Sequence, residues 1–183
     1  MDEKLESEIL EVVSNSPFET DLNHAKSTKK WLLKLKPDAD YALQIAALAH
    51  DIERGVDTEK FEKTKDQLKD YKNYKQLHSE KSAKVIVEIL EKHNYENEFI
   101  LKVKNLVLKH EFGGDYETDN LKDADSLSFF EENLEQYYKK FGQDRAEKKV
   151  KFMYERMSNK AKKQVKEIEL KEPKLKKLLE KLV

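Results

Sequence analysis

Among the His and acidic side chains of this 183-residue chain, six are candidate metal ligands: His24, His50, Asp51, His78, His110 and Asp125. His50-Asp51 ends the apolar run Ala46-Ala47-Leu48-Ala49, and the chain turns polar at Glu53-Arg54. Adjacent helical positions point about 100° apart, so both side chains can lean towards one ion in front of a helix end. The intervals between the six are 26, 1, 27, 32 and 15 residues, the long ones about one helix and turn each. Four imidazoles and two carboxylates exceed the roughly three protein ligands of a single open catalytic zinc. They fit two ions about 3.5–4 Å apart with a bridging carboxylate. This mixed ligation suits iron, manganese, cobalt or zinc. Taken singly, His24 reads as a surface or capping residue, His78 as exposed, and His110 as a C-terminal helix cap held by the dipole. The set as a whole argues for ligation. His93 falls outside it and reads as a helix-end residue.

Helix ends must position these groups. Residues 2–14 predict an amphipathic helix with Leu5, Ile9, Leu10, Val12 and Val13 inward. A second helix runs from Thr20 or Asp21 to Leu35, with His24 in its first turn. Asp38 is the expected N-cap of a third, which carries the apolar run into His50-Asp51. Residues 55–74 read as a charged rim or lid with short helical pieces. A long helix follows over about 75–93 with His78 near its start. Asn97 is the expected cap of the next, which ends at His110-Glu111. Phe112-Gly113-Gly114-Asp115 signals a turn, and another helix from about Asp119 carries Asp123 and Asp125. Gly142 precedes a helix over 144–157, Ser158 caps the next, and Pro173 introduces a last amphipathic stretch over 175–183. Trp31, Phe129, Phe130 and Tyr154 are expected in the core.

Composition supports one helical domain. The chain is 38% hydrophobic and 40% charged, with only four Gly and three Pro for turns. Without cysteine, disulfides, thiolate metal sites and thiol nucleophiles are excluded. No apolar run approaches about 18 residues and the start lacks a secretory pattern, so a soluble cytoplasmic protein is expected. The net charge of −1 provides no overall basic field for nucleic acid. It is unevenly spread: residues 139–183 carry 16 basic and 7 acidic side chains, residues 1–138 carry 20 and 30. The simplest expectation is that this basic arm docks on the acidic body. Only three of the basic residues are Arg, and Arg54 follows His50-Asp51 closely.

The pattern of a first His, a His-Asp pair and a later Asp within Ala-Asp resembles the HD superfamily of metal-dependent phosphohydrolases. His24, His50-Asp51 and Ala124-Asp125 carry the resemblance, and His78 and His110 match the two further His of its two-metal branch. It covers about residues 20–130, leaving 131–183 as a C-terminal helical extension. The resemblance implies an all-α HD-domain bundle with the metal site between helix ends. It also implies phosphoester hydrolysis by a metal-activated water, on a nucleotide or another small phosphorylated molecule. Asp51 would bridge the ions or hold the nucleophile. Arg54 and Lys81, the latter one helical turn after His78, are the first candidates for substrate phosphate; Lys109, Arg145 and Arg156 come next. Glu53, Glu111 and Asp123 are candidates for orienting ligand rings. Two other readings remain: a mixed-valent di-iron oxygenase, which some HD-fold proteins with this ligand set are, and a nucleotide-binding module without turnover.

Overall fold

The computed structural model describes residues 2–56 and 70–181, and every regular element among them is helical. The chain is an all-α bundle, and none of its described helices is long and apolar enough to cross a membrane. Helix α1 (Glu3–Ser14) is capped by Asp2, which accepts from the Lys4 and Leu5 amides, and buries Leu5, Ile9 and Val13. Leu10 and Val12, also expected inward, are only partly buried. Helix α2 (Asp21–Leu35) and the short α3 (Tyr41–Ala49) follow. Seven of the nine residues of α3 are buried, so it forms the centre of the bundle. Its small side chains allow α2 and α5 (Asn97–Lys109) to pack closely on either side. After α3 comes a single 3-10 turn, Ile52–Gly55. A Cβ on Gly55 would lie 1.9 Å from the Val12 carbonyl oxygen, so glycine lets this turn press on the α1 backbone.

Helix α4 (Tyr71–Lys92) packs along α5, and α6 (Tyr116–Ser128) packs along α2. Several helix starts differ from expectation. Asp40, not Asp38, accepts from the Leu43 amide to start α3. Glu96 precedes α5, so Asn97 is its first residue. Asp115 caps α6 in a reciprocal box with Thr118, so this helix starts at Tyr116, three residues before the expected Asp119. Acidic residues crowd these starts, and an N-cap, worth about 1 kcal/mol, goes to whichever the preceding turn delivers. At α6 the positive φ of Gly113 and Gly114 brings the chain to Asp115. Helix α4 begins four residues before the expected Lys75, capped by Asp70. Of the expected rim, residues 57–69 lie outside the described residues.

Past Ser128 the helix widens into a π turn, Phe129–Asn133. Here Glu131 faces α2, accepting from Ser27 (2.5 Å), Lys30 (2.6 Å) and the Trp31 indole (3.0 Å). Helices α7 (Leu134–Phe141), α8 (Gln143–Glu155), α9 (Asn159–Lys162) and α10 (Pro173–Glu180) form the C-terminal part. Ser158 caps α9 as expected. Trp31, Phe129 and Phe130 are buried, whereas Tyr154 is only partly so. The arm docks on the body through apolar side chains such as Met153, Met157 and Val165, and through Arg156. Of its lysines, Lys160 donates to the Leu35 carbonyl of the body, and in a further pairing the charges are the reverse of expectation, with Lys34 of the body against Glu167 of the arm.

Candidate metal centre

All six expected ligands meet at one end of the bundle. They divide into two trios, His24, His50 and Asp125, and Asp51, His78 and His110. Within each trio the ligand atoms lie within 4.8 Å of one another. His24 comes from the first turn of α2, and Asp125 from the last turn of α6 packed beside it. His50 and His110 sit at the C-terminal ends of α3 and α5, and His78 lies two turns into α4. Asp51 precedes the 3-10 turn that Gly55 allows against α1.

Asp51 faces both trios. Its Oδ1 lies 2.7 Å from His78 Nε2 and 3.8 Å from His110 Nε2. Its Oδ2 lies 3.7 Å from His50 Nε2 and 3.8 Å from His24 Nε2. Asp125 Oδ1 is 3.2 Å from His24 Nε2 and 3.7 Å from His50 Nε2.

The opposite ring nitrogens are all engaged. His50 Nδ1 donates to the Ala47 carbonyl (2.9 Å), and His110 Nδ1 donates to that of Val107 (2.7 Å). A carbonyl can only accept, which fixes both tautomers. Ser128 Oγ gives its proton to the His24 carbonyl and so accepts from His24 Nδ1, both at 2.8 Å. His78 Nδ1 bonds Glu53, whose other oxygen accepts from Ser82 at 2.5 Å. The four Nε2 atoms are thereby aimed inward, the arrangement outer hydrogen bonds impose on metal-binding imidazoles.

Without a cation, this convergence is poorly satisfied. His24 Nε2 and His50 Nε2 are 3.1 Å apart, with carboxylate oxygens of Asp125 and Asp51 closing on both. A proton on His24 satisfies one contact and leaves the others acceptor against acceptor. A divalent ion satisfies them all: two nitrogens each about 2.0–2.1 Å from one ion lie about 3 Å apart when the bonds are near perpendicular. The donor set therefore fits a pair of metal ions.

The electrostatics are in keeping. Burial raises the Asp51 pKa, but Arg54, His50 and His78 outweigh it and hold the carboxyl well below its ordinary range. Asp125 is held low in the same way, burial being overcome by His24 and Arg156. Burial draws His110 down to about 4, so it presents a lone pair at neutral pH. His78 goes the other way. Its burial is outweighed by Asp51 and Glu53 on its two nitrogens, which lift it to about 10. His24 is raised against its burial by Asp125 and Asp51.

The sequence profile of a family described as a domain of unknown function, DUF4202, matches residues 5–179. The chain belongs to the DUF4202 family. No curated protein and no solved structure gives a match.

In this DUF4202 chain the cations differ most from expectation. Arg54 lies at the centre but grips Asp51 Oδ2 (2.6 Å) and Asp21 Oδ1 (3.3 Å); its guanidinium braces a ligand instead of facing outward. Lys81 is exposed on α4 while His78 is buried, because three residues along a helix is still a rotation of some 60°. Lys109 pairs with Asp115 at 3.2 Å, and Arg145 is exposed. Arg156 proves central, bonding Asp125 at 2.8 Å and Glu111 at 3.0 Å. Glu53 orients a ligand ring as expected. Glu111 does not: it bonds Lys75 at 2.6 Å and Arg156, and those cations with His110 overcome its burial and hold it at about 2. Asp123 instead accepts from the Ser158 amide and hydroxyl. Nothing local in the sequence marks Asp21 or Lys75 as part of the centre. Ser128 carries a signal, lying one turn after Asp125 and so on the same helix face. His93, read as a helix-end residue, caps α4 and pairs with Glu8 at 2.9 Å.

Proposed function

We propose that this protein is a metal-dependent phosphohydrolase of the HD type, acting on a nucleotide or another small phosphoester. The observation that carries the reading is the Asp51 carboxylate, which offers one oxygen to each of two His-and-carboxylate trios. His24, His50 and Asp125 would hold one ion, His78 and His110 a second, with Asp51 shared. Divalent ions held there lower the pKa of water towards neutrality and stabilise charge on phosphoryl oxygens. The protein's part is to keep Asp51 and Asp125 ionised through Arg54 and Arg156, to fix four rings through their Nδ1 partners, and to hold the whole in a buried setting that strengthens each interaction. An intact donor set of six also favours catalysis over mere nucleotide sensing.

Elemental analysis of the purified protein is expected to give close to two transition-metal ions per chain. Under anaerobic conditions, with manganese or cobalt added, a panel of phosphomonoesters and phosphodiesters should include one that releases product. Asp51→Ala should abolish both metal retention and turnover while the circular dichroism of the helices is kept. Full activity in that variant, or turnover that requires dioxygen, sinks the proposal.

A further inference from the structure

The basic C-terminal region supplies two cations to the centre, and they are used differently. Arg156 is committed to Asp125 and Glu111. Two turns earlier on the same face of α8 is Lys149. Its Nζ lies 5.1 Å from the Phe129 ring centroid and 5.3 Å from that of Phe152. Phe129 follows Asp125 by one helical turn, and Phe152 also carries Lys75 on its ring at 4.8 Å. The charged groups that act on Lys149 are those of the centre: Glu111, Arg156, Asp125 and Lys75.

Each of the other cations here already holds a carboxylate. Arg54 holds Asp51 and Asp21, Arg156 holds Asp125 and Glu111, and Lys75 holds Glu111. Lys149 is the exception among the described residues: it is partly buried, cradled by rings, and bonded to no carboxylate. Burial draws its pKa down to about 8, so it is still largely protonated at pH 7.

We propose that Lys149, between Phe129 and Phe152, is the substrate-anion subsite of this centre and binds a phosphoryl oxygen directly. The inference rests on the phosphohydrolase reading for the identity of the anion. It assigns the anion-binding cation to the C-terminal extension, outside residues 20–130. Two sources of that oxygen are open, the reacting phosphoryl group or a second phosphate joined to it, and the same experiment separates them.

Inorganic phosphate and methylenediphosphonate, a non-hydrolysable diphosphate, would be titrated calorimetrically into the full-length, manganese-loaded protein. Lys149→Met keeps the apolar stem between the rings and removes the charge. It should weaken binding by about tenfold or more at unchanged metal content, and Lys149→Arg should restore most of it. A loss for both anions assigns the lysine to the reacting group; a loss for the diphosphonate alone assigns it to a neighbouring phosphate. Unchanged affinity in Lys149→Met overturns the subsite, as does a wild type that binds neither anion with or without manganese. Metal content is read separately: a wild type that retains no metal overturns the centre and leaves the lysine to be judged by its anion binding.

Discussion

The two trios use the same ligand types but are braced differently. In the first, neutral oxygens hold the rings: Ser128 behind His24 and the Ala47 carbonyl behind His50. In the second, a carbonyl holds His110 but a carboxylate, Glu53, stands behind His78. That difference, with the closer approach of Asp51 to His78 (2.7 Å) than to His110 (3.8 Å), takes two buried imidazoles of a single trio to opposite protonation states, about 10 for His78 and about 4 for His110. In the metal-free chain, the raised His78 pKa is itself stabilising. The contribution is complete below the ordinary value of 6.5 and is lost as pH rises towards 10. An ion on His78 Nε2 must displace that proton, so the second trio is the one whose loading pH opposes most directly. Once the proton has gone, Glu53 makes the ring a stronger donor than a serine or carbonyl would.

The largest expected effect comes from removing one trio at a time. His50→Ala and His110→Ala should each leave one ion per chain and lower turnover by more than about 100-fold, the upper end for loss of a mere outer partner. If either variant keeps two ions, the division into trios is wrong.

Those same variants isolate the proton effect. With His50→Ala only the second trio loads, and its affinity should fall by about tenfold for each pH unit below 8. With His110→Ala only the first loads, and metal titrations between pH 6 and 8 should give a shallower slope. Equal slopes would erase the proposed asymmetry.

The smallest effects test the braces. Glu53→Gln should weaken the second ion by about 10–100-fold. Ser128→Ala removes a neutral hydrogen bond worth about 1 kcal/mol, or roughly fivefold, from the first. Chelator competition reads both; a Ser128→Ala effect equal to that of Glu53→Gln would show that charge behind the ring is immaterial.

Much of this arrangement was legible beforehand. The apolar run before His50-Asp51 predicts a buried helix that must end there, and the long intervals predict ligands on separate helices. Glu53, on the same short turn as Asp51, was a sound candidate for bracing a ligand. What misled was local reasoning applied to cations. Arg54 follows Asp51 closely, so proximity pointed to a shared role towards substrate; yet Asp21, thirty-three residues away, shares its guanidinium. Lys81 suits His78 by helical spacing but is exposed. Lys149 gave no signal, being one lysine in an arm full of them.

Helical elements, the kinds of ligand available and their places near helix ends can all be read along the chain. Those properties follow from periodicity and residue chemistry within a few turns. That Asp51 splits its oxygens between two trios, that Arg54 and Arg156 brace carboxylates, and that Lys149 lies between two rings emerges from packing alone. Such choices depend on how helices distant in sequence pack. A buried charge is tolerable only beside a compensating partner, and that partner can be many turns away along the chain.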